Sequence, residues 1–266
     1  MVEREMADER YRVQSVDKAL TILDALGASG PEGMTGSEVA KHLGSSKSTA
    51  FALLQTLLER GFVADSGQGP TRRYRLGMAL ARLGERVVSQ ITLRDVAMPI
   101  LHDVTDATGL TSRLAVLEDA WAVVLGRVDA PGTVRFTSNV GRRELPHSSG
   151  VGKALLAALP PERVRELVER TGLPQRTPKT ITEADALLRD LDAVRERGYA
   201  IDDEEDAEGV FCVGASFADH QGEVAGGISV TGLKLDLPAW RIHQIGETVH
   251  AHADRISAAL GAPADR

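Results

Sequence analysis

The 266-residue chain has a single cysteine, Cys212, so no disulfide framework can form within it, which suits a reducing compartment. No apolar run approaches the roughly 20 residues of a membrane-spanning helix, so no membrane segment is expected. The first residues, MVEREMADERYRV, mix charges and have no apolar core, so no secretory signal is expected and the cytoplasm is the expected location. Internal repeats and low-complexity tracts are also missing. There is no excess of positive charge either. Lys and Arg number 31 against 38 Asp and Glu, a net of −7, which excludes a protein coated in nucleic acid.

The charge is unevenly spread. Residues 1–75 balance ten cations against ten anions, and all seven excess negatives fall in 76–266. Within 41–75 there are six Lys or Arg and two Asp or Glu, a basic segment inside an acidic protein. That is a modest footprint for a polyanion.

Around that segment the helical signals are dense. Val16, Ala19, Leu20, Leu23 and Leu26 recur at helical spacing behind a candidate cap, Ser15. In TGSEVAKHLG, Thr35 and Glu38 form a capping box, Val39, Ala40 and Leu43 an apolar face, and Gly44 a stop. Ser45 or Ser46 caps the next helix at once, and two short helices on so tight a turn are a helix-turn-helix pattern. In that second helix Ala50, Leu53, Leu54, Leu57 and Leu58 make an apolar stripe, with Ser48, Ala52, Gln55 and Glu59 facing away and Phe51 on the flank.

Its first turn is polar and short-chained: Ser46, Lys47, Ser48 and Thr49. In DNA readers of this type that end enters the major groove. Free N–H groups and small hydroxyls suit phosphates, Lys47 adds charge, Gln55 suits an adenine edge and Phe51 a thymine methyl. A hairpin that merely packs has the same stripe. FVADSGQGPTRRYRLG adds a strand, a Gly/Pro turn and a returning strand, a wing whose Arg72 and Arg73 suit phosphates or a minor groove.

The segments SVDKALTILDAL, GMTGSEVAKHLGSSKSTAFALLQTLLERGFV and YRLGMALARLG resemble the winged helix-turn-helix of the isocitrate-lyase-regulator (IclR) family of bacterial transcription regulators. Family members often carry an arginine just before the paired leucines of the recognition helix. Here that position is Ala52, so a common DNA contact is missing.

Next comes GMALARLGERVVSQ, a bridging helix with Leu80, Leu83 and Val87 on one side, then a second helical pattern, LRDVAMPILHDVTDATG. Two reading heads one helical turn apart require a dimer, and the bridge is the candidate contact. From residue 111 the period becomes strand-like: TSRLAVLE, an Asp119–Ala120 turn, WAVVLGRVDA and the extended TVRFTSNVG. SGVGKALLAALP returns to helix. ITEADALLRDLDAVRERGYAI is a helix expected to be capped by Thr182 and Asp185, lined by Ala184, Leu187, Leu188, Leu191 and Val194, and ended by Gly198. GVFCVGASFADHQGEVAGGISVTG gives two strands around an Asp219–Gly222 turn, and Ile242, Ile245, Val249 and Ile256 mark a last helix. Strands flanked by helices predict an α+β sheet domain.

Chemistry is weakly signalled there. GVGK lacks the phosphate-loop pattern, since His147 and Ala154 stand where glycine and Ser/Thr belong, and Lys153 reads as a helix-start residue. Cys212 sits in an apolar strand and reads as a buried, unreactive thiol. His243, Glu247 and His250 share a helical face without the His-Glu-x-x-His pattern, so no metal and no cofactor are expected. The acid run Asp202–Asp206 reads as a solvated loop.

LPHSSGVGKALLA, RGYAIDDEEDAEGVFCVGASF and GISVTG resemble the effector-binding domain of the same family, a profilin-like or GAF-like α+β fold. The resemblance runs from about residue 13 over nearly the whole chain. It implies a small-metabolite pocket, frequently for a carboxylate, lined by Gly150, Val151, Asp202, Cys212, Ser229 and Thr231. A helix N-terminus at Gly150 suits a carboxylate, and alternation puts Ser229 and Thr231 on one side of a strand. Asp202 repels anions and is expected to accept from a ligand hydroxyl or a water.

The domains expected are a flexible segment 1–12, a winged helix-turn-helix over 13–76, a linker helix over 77–93 and an effector domain over 94–266. The expected function is a ligand-responsive regulator, most commonly a repressor, acting as a homodimer or homotetramer on double-stranded promoter DNA. Two rivals remain open: an enzyme using Cys212, or Lys153 with Asp202, and a DNA-binding domain joined to a purely oligomerising module.

Overall fold

The structure, a computed structural model, describes residues 13–90, 92–132, 136, 140–235 and 237–263. The segment 1–12, the side chain of Val87 and most of the stretch TVRFTSNVG lie outside the described residues. The chain divides into two units, residues 1–91 and 92–266.

The first unit opens with α1 (Gln14–Ala28), which buries Ile22, Ala25 and Leu26. Val16 and Leu20, two members of the expected stripe, are exposed instead. The helix carries apolar residues on more than one side, and periodicity alone does not say which side the core takes. Ser15 is no cap, because the helix starts one residue earlier, after Val13, with no side-chain cap bond.

The capping box forms as expected ahead of α2 (Gly36–His42). The Thr35 N–H donates to Glu38 Oε2 at 2.7 Å, and the Glu38 N–H donates to Thr35 Oγ1 at 3.3 Å. Gly44 takes φ +57, a conformation that costs a side-chain-bearing residue energy, and so lets α3 (Lys47–Glu59) begin three residues later. Ala50 and Leu54 are fully buried in α3 and pack with Ile22, Leu26, Val39, Ala40, Val63 and Tyr74. Three short strands, β1 (Met34–Thr35), β2 (Val63–Ser66) and β3 (Arg73–Leu76), form an antiparallel sheet in the order β1-β3-β2. The β2–β3 hairpin is the wing, closed by a 3-10 turn at Gly69–Thr71. Helix α4 (Met78–Gln90) ends the unit.

The second unit starts with α5 (Leu93–Thr108), followed by β4 (Thr111–Glu118), β5 (Trp121–Val128) and the two-residue β6 (Arg143–Glu144). Then come α6 (Gly150–Ala157), α7 (Pro161–Thr171), α8 (Ala184–Arg197), β7 (Ala200–Asp203), β8 (Val210–Ala218), β9 (Val224–Leu233) and α9 (Ala239–Ala259). The sheet is antiparallel in the order β6-β5-β4-β9-β8-β7. Helix α7 is not among the expected elements. The expected Thr182–Asp185 cap on α8 does not form: its N-cap is Glu183, without a side-chain bond, and Asp185 turns to Arg165 at 3.3 Å.

Both sheet faces are covered, so the strands alternate between two buried environments. Phe211, Val213, Ala215, Ile228 and Val230 pack with α5 and α9, through residues such as Leu101, Val104, Ile245 and Val249. The opposite face carries Asp202, Cys212, Ser229, Thr231 and Arg113, together with the small residues on which α6 rests. A Cβ on Gly214 would stand 2.6 Å from the backbone of Gly150, and one on Gly150 would stand 2.9 Å from the Cys212 carbonyl. Helix α6 reaches the sheet only because both residues are glycine.

Candidate functional site

Two places gather polar groups that packing does not explain. The first is the start of α3. Ser46 is its N-cap: its hydroxyl accepts from the Thr49 N–H at 3.1 Å and lies 2.9 Å from Ser48 Oγ and 2.8 Å from Thr49 Oγ1. Ser46, Lys47 and Ser48 are exposed, Thr49 is half-buried, and Phe51 is 53% exposed despite its size. A hydroxyl cluster, a lysine and an open aromatic thus stand at the positive end of a helix whose far side is core. Gln55 is displayed less than expected. It is half-buried, and its amide nitrogen is shielded from solvent with no partner among the described residues.

The wing forms as a hairpin, and Arg72 and Arg73 also bond within the unit. Arg72 Nε donates to Asp65 Oδ2 at 2.6 Å and the guanidinium lies 5.3 Å from the Tyr74 ring centre. Arg73 Nη1 donates to the Gly33 carbonyl at 2.8 Å, tying the wing to the residue before β1. Both arginines therefore hold the wing together before they meet any phosphate. Arg75, two residues on, is exposed and has no partner among the described residues.

The second place is a cavity of about 280 Å³ on the α6 side of the sheet. Register builds it. Asp202 pairs with Cys212, and Cys212 with Thr231, so three adjacent strands place these side chains in one row. Arg113 enters from β4, Glu144 from β6, Ser149 from the start of α6, and Asp206 from the loop after β7; Phe136 and Arg142 also line it. Of the residues implied by resemblance, Asp202, Cys212 and Thr231 border the cavity. Gly150, Val151 and Ser229 do not; they are buried behind it. Gly150 lies against Cys212, and the Ser149 hydroxyl accepts the Gly152 N–H at 3.2 Å, so one free amide of α6 is already taken. Arg113, Glu144 and Arg142 were not anticipated. Single charges in an alternating strand and in a two-residue strand carry little sequence signal.

Burial sets the chemistry here. Asp202 is pushed up to about 7, mainly by burial; its Oδ1 accepts from the N–H groups of Glu205 and Asp206 at 2.7 and 3.3 Å, which oppose the rise, while the charge of Glu205 adds to it. Cys212 is buried, and burial raises its thiol pKa; the Thr231 hydroxyl donates to its sulfur at 3.5 Å. A thiol held neutral is a poor nucleophile, which removes the chief group of the enzyme reading.

The acid run is not a solvated loop. Asp202 and Glu205 are buried. Asp203 pairs with Lys234, Glu204 with Lys179, and Asp206 with Arg176 at 3.3 Å. Nor is Lys153 merely a helix-start residue. It is fully buried, with Nζ 2.5 Å from Glu205 Oε1 and 3.0 Å from Asp190 Oδ2. Burial raises Glu205 despite the lysine.

A larger groove of about 710 Å³ runs between α6, the end of α8 and α9, but its Arg195 is bound to the carbonyls of Ala157 and Leu159. His243 meets the Tyr199 hydroxyl at 2.9 Å, and His250 lies 3.8 Å from Asp254. Among the described residues no His/Cys/Asp/Glu cluster suited to a metal is found, and no helix is long and apolar enough to cross a membrane.

Comparison with known proteins agrees with this arrangement. The family description "IclR helix-turn-helix domain" matches residues 15–66, and "Bacterial transcriptional regulator IclR C-terminal" matches residues 85–258. The HTH-type transcriptional regulator BhcR of Paracoccus denitrificans is 33% identical over 251 residues, 94% of this chain and 88% of that protein. The HTH-type transcriptional repressor AllR of Escherichia coli (strain K12) is 32% identical over 248 residues, 93% of this chain and 90% of that one. Among solved structures, the Agobacterium tumefaciens repressor BlcR superposes with a TM-score of 0.80 at 27% identity, covering 95% of this chain and 99% of that one.

Proposed function

Since the chain belongs to the IclR family of bacterial transcription regulators, a family of DNA-binding proteins and not of enzymes, we propose that it is a cytoplasmic, ligand-responsive repressor of a catabolic operon. The winged helix-turn-helix over 13–76 binds promoter DNA through Ser46, Lys47, Ser48, Thr49 and Phe51 of α3. Gln55 reads a base after a modest rotamer change. Arg72 and Arg73 shape the wing, and Arg75 offers its open cation. Residues 77–93 form the linker, and 94–266 sense a small organic acid, sugar acid or related metabolite around Asp202, Cys212 and Thr231, with Gly150, Val151 and Ser229 forming the layer behind them. The protein acts as a homodimer or homotetramer on a pseudo-palindrome, because each chain supplies one reading head.

One observation carries this reading. Helix α3 buries Ala50 and Leu54 completely, yet keeps its first turn hydroxylated, cationic and exposed. A purely structural helix gains nothing from an open Phe51 beside Lys47. For the ligand to act, it must bind the DNA-competent and DNA-incompetent arrangements with different affinity. Footprinting upstream of the protein's own gene tests the proposal. Protection of two half-sites whose centres are about 10 base pairs apart, or a multiple of that, is expected; a single uninterrupted patch of non-selective protection contradicts it.

A further inference from the structure

Arg113 is buried on β4 and borders the cavity. Among the described residues one hydrogen bond holds its guanidinium: Nη1 donates to Glu144 Oε1 at 2.8 Å. Its Nε is shielded from solvent and has no partner among the described residues. Register sets Arg113 opposite Ser229, whose fully buried hydroxyl also lacks a partner among the described residues. Arginine and carboxylate commonly meet through two parallel N–H bonds. Glu144 engages the Nη1 corner, and the Nε–H on the other edge is left without a partner among the described residues.

The electrostatic balance points the same way. Arg142 Nε lies 3.9 Å from the same Glu144 carboxylate, so two guanidiniums share one anion. The other acids at the cavity are committed: Asp206 to Arg176, and Asp202 to the backbone N–H groups of Glu205 and Asp206. We propose that Arg113 is the specificity-determining residue of this cavity, binding the carboxylate of a small organic acid side-on through Nε and Nη2 while Glu144 holds the guanidinium from its other corner. This rests on the reading of the second unit as a sensor and assigns the acid group to β4 instead of the start of α6. The uncharged remainder of the ligand faces Ser149, Thr231 and Asp202. A cavity of about 280 Å³ admits an acid of only a few carbons.

The test is the melting temperature of the full chain, followed by tryptophan fluorescence at fixed ionic strength. The probes are pyruvate, glycerate and succinate, each against its uncharged counterpart: pyruvamide, glycerol and succinamide. At least one acid is expected to stabilise the wild type while its counterpart does not. Arg113→Lys keeps a cation beside Glu144 but loses the planar second donor, and should weaken that acid at least about tenfold. Arg113→Gln with Glu144→Gln leaves no orphan carboxylate and should abolish the shift. Equal stabilisation of wild type and both variants overturns the assignment, as does the absence of a shift from all three acids. If an uncharged probe stabilises all three proteins and releases DNA, the sensor reading stands and Arg113 is not its acid reader. If the wild type binds no DNA selectively, the sensor reading itself fails.

Discussion

Removing Lys153 tests how the second unit is held together behind its cavity. The Lys153 ammonium is fully buried and Glu205 nearly so, whereas the Asp190 side chain is 27% exposed and can keep its water. In Lys153→Met, Glu205 is left as a buried carboxylate without its cation. Breaking a buried pair from one side costs about 3–5 kcal/mol. In a unit of this size that lowers the melting temperature by about 10 °C. The penalty has a pH signature. Burial already raises Glu205 above its ordinary value, and loss of the lysine raises it further. A carboxylate with a raised folded-state pKa favours the fold while protonated and loses that contribution as pH rises through the raised value. The variant should therefore be impaired least in mild acid and most at about pH 8. Trp121 and Trp240 are the only tryptophans and both lie in the second unit, so their fluorescence during urea unfolding reports that unit alone. Adding Glu205→Gln should restore most of the loss. A single-variant cost below about 1 kcal/mol at pH 8, or a double variant no better than the single, refutes the reasoning.

Three further outcomes follow from the same geometry. Asp202, held at about 7 when folded against 3.8 otherwise, should make the wild-type second unit lose on the order of 2 kcal/mol between about pH 5 and about pH 8, and Asp202→Asn should flatten that slope; an unchanged slope in urea unfolding contradicts the burial of Asp202. Gly150→Ala puts a methyl 2.9 Å from the Cys212 carbonyl and should cost about 1–3 kcal/mol by the same fluorescence assay, so a neutral outcome shows that α6 can lift away freely. Lys47→Ala and Arg75→Ala should each weaken binding to all DNA sequences alike and reduce the salt slope by about one, whereas Phe51→Ala should alter preference at one position; anisotropy titrations at several salt concentrations distinguish these patterns.

Elements with local signals were legible in the sequence. The Thr35–Glu38 box, the Gly44 turn and the Ala50–Leu54 stripe are short-range features, and each forms as expected. Legibility ended where the outcome depends on distant partners. Arg72 and Arg73 read only as groups suited to phosphates or a minor groove, because Asp65, Tyr74 and the Gly33 carbonyl meet them only after the wing folds. The acid run read as solvated because Lys153, the Arg176–Lys179 loop and Lys234 approach it from three separate places in the chain. In α1 the local pattern fitted more than one face, and only the packing of Ile22 and Leu26 against Leu54 selected one. At the cavity, Asp202, Cys212 and Thr231 came from family resemblance. Arg113 and Glu144 needed the β4–β9 and β5–β6 registers.

The most direct measurement is binding of the purified protein to DNA from upstream of its own gene, against unrelated DNA of equal length, at two salt concentrations, with Lys47→Ala alongside. The account predicts selective binding by the wild type that weakens steeply with salt, and weaker binding with a shallower slope in the variant. Equal affinity for both DNAs, with wild type and variant indistinguishable at either salt concentration, contradicts the assignment of α3 as the reading helix.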